Sequence, residues 1–324
     1  MASAVAINTR RRYSRITKSK LKDYAFVGVL LLYPVLQFVV TWSFVNVGSL
    51  LLAFQSVDTW GNVTSIGFDN FAIVLKNIFK SAINDTGVSW LNNRSVILLN
   101  SLGYGAITIF ISLPLSMLFA YFLQKDMPIA NVFRVIFFLP NIIPIVALVM
   151  AFNMPLDSSY GYLYKIMQSM GFSGGYIYDK WPSSQMWVYL YCIWAGLGYN
   201  VVLMSGAIGR IPKEIYESAK LDGAGYMTEF FRITIPLVWP TIVTLIILGL
   251  TNVLTLYLQP YLLTNEGSGN TGTIAMEIFT ETASFNQAKY NEAAAKGLLF
   301  SVVWAPIVLL ARSRLSKKFS GVDF

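Results

Sequence analysis

A polar stretch between two apolar segments, residues 210–236, combines charged, small and glycine residues in a pattern that can form a short surface helix. Pro212 suits the first turn of a helix, and the residues after it can continue that helix. Ile215 and Ala219 lie one turn apart and share a face of it. Gly223 then permits a break or a close backbone approach.

The second half of the stretch returns to apolar sequence. After Gly225, Ile233 and Ile235 restart an apolar face, and Pro236 suits the first turn of a following helix. The stretch therefore predicts a short helix, a glycine turn and a second helix rising into the membrane. A short surface helix with small residues can sit in a partner's groove; the alternative is an interfacial helix lying on lipid headgroups.

Uncharged polar and aromatic side chains inside two apolar segments are the second candidate for chemistry. Such side chains can stack on or hydrogen-bond a polar solute, and glycines let a solute or a neighbouring helix come close. The alternative is helix packing, which small residues at helical spacing usually serve. The residues are Gly196, Tyr199 and Asn200 in one segment, and Gly249, Asn252, Thr255 and Tyr257 in the other.

Several kinds of chemistry lack the residues they need. The chain has no histidine and a single cysteine, Cys192, so it offers neither a histidine metal site nor an intrachain disulfide. Cys192 is expected to be a small packing residue. There is no G-x-x-x-x-G-K-[ST] phosphate loop and no H-E-x-x-H motif. We therefore expect no metal site, no catalytic residues and no ATP hydrolysis by this chain.

The composition places the chain in a membrane. Of its residues 55% are hydrophobic and 12% are charged, whereas soluble domains carry about 25% charged residues. The apolar runs approach or exceed the ~20 residues that cross a bilayer as a helix. They predict an all-α membrane protein with six spans, over residues 24–44, 96–123, 133–152, 187–208, 235–258 and 293–311.

Lysine and arginine placement predicts the orientation. With the N-terminus in the cytoplasm, 17 of the 24 basic residues fall on the cytoplasmic side, as the positive-inside rule requires. The net charge of +8 is therefore a topological signal, and no nucleic-acid partner is expected. The predicted organisation is a basic cytoplasmic segment (1–23), a transmembrane domain (24–312) and a cytoplasmic tail (313–324).

The spacing within the polar stretch resembles the permease subunits of bacterial ABC importers. Those subunits carry E-A-A, three residues, G, nine residues, I, one residue and L-P. The chain departs only in Ser218 for the first alanine and Ile235 for leucine. The wider string, which includes Tyr216 and Phe231, resembles the sugar-importer branch. The matching residues are Glu217-Ser218-Ala219, Gly223, Ile233 and Ile235-Pro236.

The resemblance implies a type I ABC importer transmembrane domain with both termini in the cytoplasm of a bacterial inner membrane. It implies a second homologous permease subunit, a dimer of separate ATPase subunits that hold ATP and Mg, and an external solute-binding protein. The transported solute is expected to be a carbohydrate. An oligosaccharide is favoured, and an acidic oligosaccharide of the alginate type is one candidate. The residues implied to couple to the ATPase are Glu217, Ser218, Ala219, Asp222, Gly223 and Ala224.

The maltose-permease branch of the family aligns without gaps around this loop. That resemblance implies a solute pathway in which Val253 and Leu256 replace polar residues, so the specificity should differ from maltose. Its sugar-contact positions fall on Cys192, Gly196, Tyr199, Gly249, Asn252, Val253 and Leu256.

An ion-coupled secondary transporter is the main alternative. Such proteins usually place ionisable residues inside the membrane as relays or ion ligands. The centres of the six predicted spans lack them, and Arg134 and Lys296 lie near span ends. This pattern argues against proton coupling, although it leaves backbone-coordinated sodium open.

Overall fold

The computed structural model describes residues 18–57, 62–83, 93–125, 127, 129–171, 177–178, 182–265, 267–284 and 286–317. Residues 1–17 of the predicted N-terminal segment 1–23 lie outside the described part of the chain. The predicted tail 313–324 lies outside them from residue 318.

The chain divides into two compact units, residues 1–51 and 52–324. Helix α1, Lys18–Phe54, contains the first candidate span, Lys22–Phe54, whose most apolar window has a mean hydropathy of 2.0. It carries Pro34 in its interior.

The second unit begins with a small antiparallel ribbon and continues as helices. Strands β1 (Gln55–Val57) and β2 (Val63–Ile66) pair with Gln55 opposite Ile66. The helices are α2 (Asp69–Ile83), α3 (Asn93–Ile107), α4 (Leu113–Leu123), α5 (Ala130–Ile142), α6 (Ile145–Asn153), α7 (Tyr162–Ser169), α8 (Ser183–Ile208), α9 (Lys213–Leu221), α10 (Tyr226–Glu229), α11 (Ile235–Leu237), α12 (Trp239–Thr255), α13 (Leu258–Leu263), α14 (Ile274–Ala283) and α15 (Gln287–Ser316).

The predicted all-α membrane class is confirmed by the lengths and composition of these helices. In the described part of the chain, four helices are long and apolar enough to cross a bilayer, and two bent helix pairs bring the number to as many as six. The four are Lys22–Phe54, Val96–Leu123, Ser183–Ile208 and Gln287–Ser316. The six-span count itself stays a prediction.

Two of the predicted spans are bent rather than straight, and proline explains both breaks. The span predicted at 133–152 turns by 105° between α5 and α6. Ile143 is extended there because it precedes Pro144. The span predicted at 235–258 bends by 75° at Val238 and ends at Thr255. Pro240 has no N–H to continue the helical ladder across that bend.

Two π-helical segments interrupt the long helices, and each ends two residues before a proline. Thr108–Ser112 separates α3 from α4 and precedes Pro114, whereas Phe230–Thr234 separates α10 from α11 and precedes Pro236. A proline ring clashes with the carbonyl four residues earlier in a regular helix. The wider π turn displaces that carbonyl, which lets the helix continue.

Two apolar clusters hold the second unit together. One joins α4, α8 and α12 through side chains such as Tyr121, Met204 and Ile242, and α9 packs against it. The other joins α3, α6 and α8 through Tyr104 and Tyr191, among others. Both clusters include residues of α8, and the predicted solute residues Gly196, Tyr199 and Asn200 lie between the two sets along that helix.

Candidate functional site

The predicted docking segment folds as a helix, a glycine turn and a second helix. α9 ends at Leu221, and Gly223 adopts a left-handed conformation with φ of +77°. The Gly223 N–H donates to the Lys220 carbonyl over 3.0 Å, and the Ala224 N–H donates to the Ala219 carbonyl over 2.9 Å. These two bonds form a Schellman motif, which needs glycine at the left-handed position.

The motif spacing therefore has a local structural reason. Ala219 supplies the carbonyl that closes the turn, and Gly223 stands four residues later where the left-handed residue must be. Ala219 is buried, whereas Glu217, Ser218, Asp222 and Gly223 are exposed and Ala224 is half-buried. The six predicted coupling residues thus lie together, and most of them face away from the bundle.

The inner face of α9 is anchored on the bundle. Ile215 and Tyr216 pack against the cluster that contains Ile211 and Phe230, and the Tyr216 hydroxyl lies 3.3 Å from the Thr234 hydroxyl. The outer face carries Leu221, which is 90% exposed.

An ion pair beside α9 was missed by the sequence analysis. The Lys125 ammonium pairs with the Glu229 carboxylate, which is buried. The two residues are 104 positions apart, and Lys125 counted in the sequence only as a positive-inside charge. No local pattern could have paired them, because the contact depends on how α4 packs against α10.

A cavity of about 480 Å³ lies in the middle of the bundle. Its volume is within the usual range for small-molecule sites. It brings together seven of the ten residues predicted to contact solute, on α8, α12 and the residues just after α12. These are Cys192, Gly196, Tyr199, Asn200, Gly249, Asn252 and Leu256.

The other three predicted residues do not line the cavity. Val253 is buried, and its Cγ2 would lie 2.5 Å from a Cβ placed at Gly105, so it packs α12 against α3. The Tyr257 ring packs on Phe279 with centroids 4.8 Å apart. Thr255 donates its hydroxyl to the Thr251 carbonyl over 3.2 Å.

Several lining residues were missed by the sequence analysis. Tyr104 is almost fully buried, and it lines the cavity from α3. Thr108 and Ser112 are the first and last residues of the first π segment, and both line the cavity. The sequence signal for this irregular segment was Pro114, which follows it. The further polar lining residues are Asn141, Tyr191 and Gln259.

The cavity lining combines aliphatic side chains, tyrosines and uncharged polar groups, and it carries no Asp, Glu, Lys or Arg among the residues that the structure describes. The buried charges lie elsewhere. Lys296 pairs with Glu277 over 2.8 Å and with Glu281, joining α15 to α14. The described part of the chain also holds no cluster of three or more metal-ligating side chains.

Comparison with known proteins places this geometry in a family. Residues 112–315, more than half of the chain, match the model of the binding-protein-dependent transport system inner membrane component. The probable ABC transporter permease protein YurN of Bacillus subtilis is 30% identical over 190 residues, which cover 58% of this chain and 63% of that protein. This chain therefore spans less than two thirds of that relative.

Further similarity extends over most of the chain. The arabinooligosaccharides transport system permease protein AraP of Bacillus subtilis is 25% identical over 89% of this chain and 86% of that protein. The crystal structure of a bacterial ABC transporter that imports the acidic polysaccharide alginate superposes with a TM-score of 0.76 at 22% identity. It covers 93% of this chain and 98% of that one, which shows the same fold. The chain belongs to the family of inner membrane components of binding-protein-dependent transport systems.

Proposed function

We propose that this chain is the transmembrane permease subunit of an ATP-driven importer and forms half of the pathway for a carbohydrate. The observation that supports the solute class is the cavity of about 480 Å³. Its lining offers aromatic rings, hydroxyls and amides, which match the alternating apolar faces and hydroxyl groups of a sugar. The relative that transports arabinooligosaccharides supports an oligosaccharide.

The uncharged lining also bears on which carbohydrate fits. A uronate such as alginate carries a carboxylate, and burying an unpaired charge is costly. The lining residues described here supply no cation for it. We therefore propose that this chain contacts neutral hydroxyl-rich parts of the solute, and that any carboxylate is neutralised by the partner permease.

The other subunits of the complex are those that permeases of this family work with, and they are part of the proposal. The exposed residues of the Schellman turn would dock on a separate ATPase subunit, one of a dimer that holds ATP and Mg. A second homologous permease would complete the pathway, and an external binding protein would deliver the solute. The complex would lie in the bacterial cytoplasmic membrane, with six spans in this chain and both termini inside.

The test is reconstitution of the complex in proteoliposomes with its ATPase subunits and cognate binding protein. Ligand identification on that binding protein, followed by uptake of a neutral arabino-oligosaccharide and of an oligouronate, measures the cargo. We expect uptake only with Mg–ATP inside the compartment that holds the ATPase subunits. Uptake driven by an ion gradient without ATP would overturn the proposal in favour of an ion-coupled transporter.

A further inference from the structure

Three separate elements meet around the ammonium group of Lys125. The residue lies just after α4, and its partner Glu229 ends α10. The ring of Tyr216, on the docking helix α9, has its centroid 4.7 Å from the same ammonium. Tyr121 on α4 and Tyr226 on α10 complete the surroundings, with ring centroids at 5.2 and 5.8 Å.

The groups around Lys125 favour a positive charge at this position. The side chain of Glu229 is 2% exposed, and a buried carboxylate needs a compensating charge. Aromatic faces within about 6 Å attract the same ammonium. The cation is therefore shared between α10, through the carboxylate, and α9, through the Tyr216 ring.

The end of α4 is itself tied to its neighbours. The Gln124 side-chain amide donates to the Ser205 carbonyl on α8 over 2.7 Å. The Tyr121 hydroxyl donates to the Tyr226 carbonyl on α10 over 3.2 Å. The Tyr216 hydroxyl meets Thr234 in the second π segment. A shift of α9 would therefore change the contacts of α4 and α10 at one point.

We propose that Lys125 is a positioning residue that transmits displacement of α9 to the ends of α4 and α10, and through them to the cavity-lining helices. The route is short, because α4 is continued by the π segment Thr108–Ser112, whose two end residues line the cavity. Helix α10 leads through the second π segment into α12, which carries Gly249 and Asn252. This inference rests on the proposed function, since it assumes that α9 receives force from an ATPase.

The test compares ATP hydrolysis by the full complex in nanodiscs, with and without the cognate binding protein, using Mg–ATP as the probe. Lys125→Gln is expected to lower the stimulation by the binding protein at least about fivefold, within the usual range of coupling between sites. The KM for ATP and the amount of co-purified ATPase subunit should stay at wild-type values. Lys125→Arg keeps the charge and the stacking cation, so it should retain most of the stimulation.

Two further variants separate positioning from mere folding. Lys125→Gln leaves the Glu229 carboxylate uncompensated, whereas Lys125→Gln combined with Glu229→Gln removes both charges at similar volume. The double variant should assemble with its ATPase and still lack full stimulation. Arg312→Gln, which changes an exposed cation on α15 outside the docking stretch and the proposed route, should behave as wild type.

The outcomes distinguish this inference from the proposed function. A wild-type complex whose hydrolysis ignores the binding protein would overturn both. A responsive wild type with an equally responsive double variant would overturn only the role of Lys125. A double variant that fails to assemble would assign the pair to folding and would also overturn that role.

Discussion

Glycines on one helix have opposite surroundings in this bundle. A Cβ at Gly198 would lie 1.9 Å from the Phe137 carbonyl oxygen and 2.8 Å from the Asn141 amide nitrogen, whereas a Cβ at Gly196 would meet nothing within 4 Å. Gly198 is therefore where α8 meets α5, and Gly196 opens onto the cavity. Close approach of a neighbouring helix was expected at Gly196, but it occurs at Gly198. Sequence spacing alone does not show which glycine of α8 faces α5.

Gly198→Ala is expected to destabilise the protein because the added methyl group meets backbone rather than a movable side chain. Overpacking of this kind typically costs about 1–3 kcal/mol. The measurement is the thermal unfolding midpoint of the purified protein in detergent. Gly196→Ala on the same helix is the matched control and should unfold at the wild-type temperature. Equal midpoints for the two variants would contradict the assignment of Gly198 to helix packing.

Glu281 is expected to make stability depend on pH. It lies on α14, outside the predicted spans, and burial raises the pKa of its carboxyl above the ordinary 4.5 although the Lys296 ammonium opposes the shift. A raised pKa means that the folded protein holds this proton more tightly than the unfolded chain. Its contribution to stability is therefore present below about 4.5 and is lost as the pH rises through the raised value.

Glu281→Gln should flatten the dependence of the unfolding midpoint on pH above 4.5, because glutamine has no proton to lose. The measurement is thermal unfolding in detergent across this range. Glu214→Gln, at an exposed carboxylate on α9, is the control and should keep the wild-type profile. An unchanged profile for Glu281→Gln would remove this carboxyl from the pH dependence.

At the scale of elements, the docking segment shows how a motif spacing becomes a structure. Gly223 has a φ of +77°, a backbone conformation that favours glycine. A Cβ at this position would nevertheless meet no atom within 4 Å. Gly225 has the ordinary extended φ of −77° and is equally open. The two glycines therefore separate backbone strain from steric bulk.

Gly223→Ala is expected to weaken the turn after α9 because a left-handed conformation costs a residue with a Cβ roughly 1–2 kcal/mol. Gly223→Leu adds bulk at a surface that is free in this chain, so any further loss reports on a docked partner. Binding-protein-stimulated ATP hydrolysis and uptake by the full complex should become uncoupled, most strongly for leucine. Gly225→Ala is the control; if it impaired coupling as much as Gly223→Ala, backbone strain would not be the cause.

Helix positions were predictable from the sequence, and prolines marked several of the breaks, but the geometry of those breaks was not predictable. The candidate span Val96–Leu123 matches the prediction residue for residue, since its apolar run defines it. The bend at Pro144 and the two π segments depend on where a proline lets the helix continue, which hydropathy does not report. The Lys125–Glu229 pair and the Tyr104 contribution to the cavity depend on contacts between distant segments, so they required the structure.

At the scale of the whole molecule, charged and uncharged polar groups are separated. The described ion pairs lie on the docking side at Lys125 and between α14 and α15 at Lys296, whereas the cavity presents only uncharged polar groups and apolar surface among the described residues. A pathway of this kind recognises solute through hydrogen bonds and ring stacking. Individual aromatic side chains should therefore affect uptake without affecting assembly.

Tyr199 is the side chain best placed to test this. It lines the cavity and is 47% exposed, so Tyr199→Ala removes a ring and a hydroxyl at little cost to packing. Loss of an aromatic contact worth about 0.5–1.5 kcal/mol should raise the half-saturating concentration for uptake of the carbohydrate identified on the binding protein by about twofold to thirteenfold. Leu190→Ala is the control, because Leu190 lies on the same helix with the same exposed fraction, 47%, away from the cavity lining. Both variants should co-purify with the ATPase subunit at wild-type levels. Because assembly is then equal, the uptake kinetics report on solute contact alone. Wild-type kinetics for Tyr199→Ala would therefore remove this residue from the solute pathway.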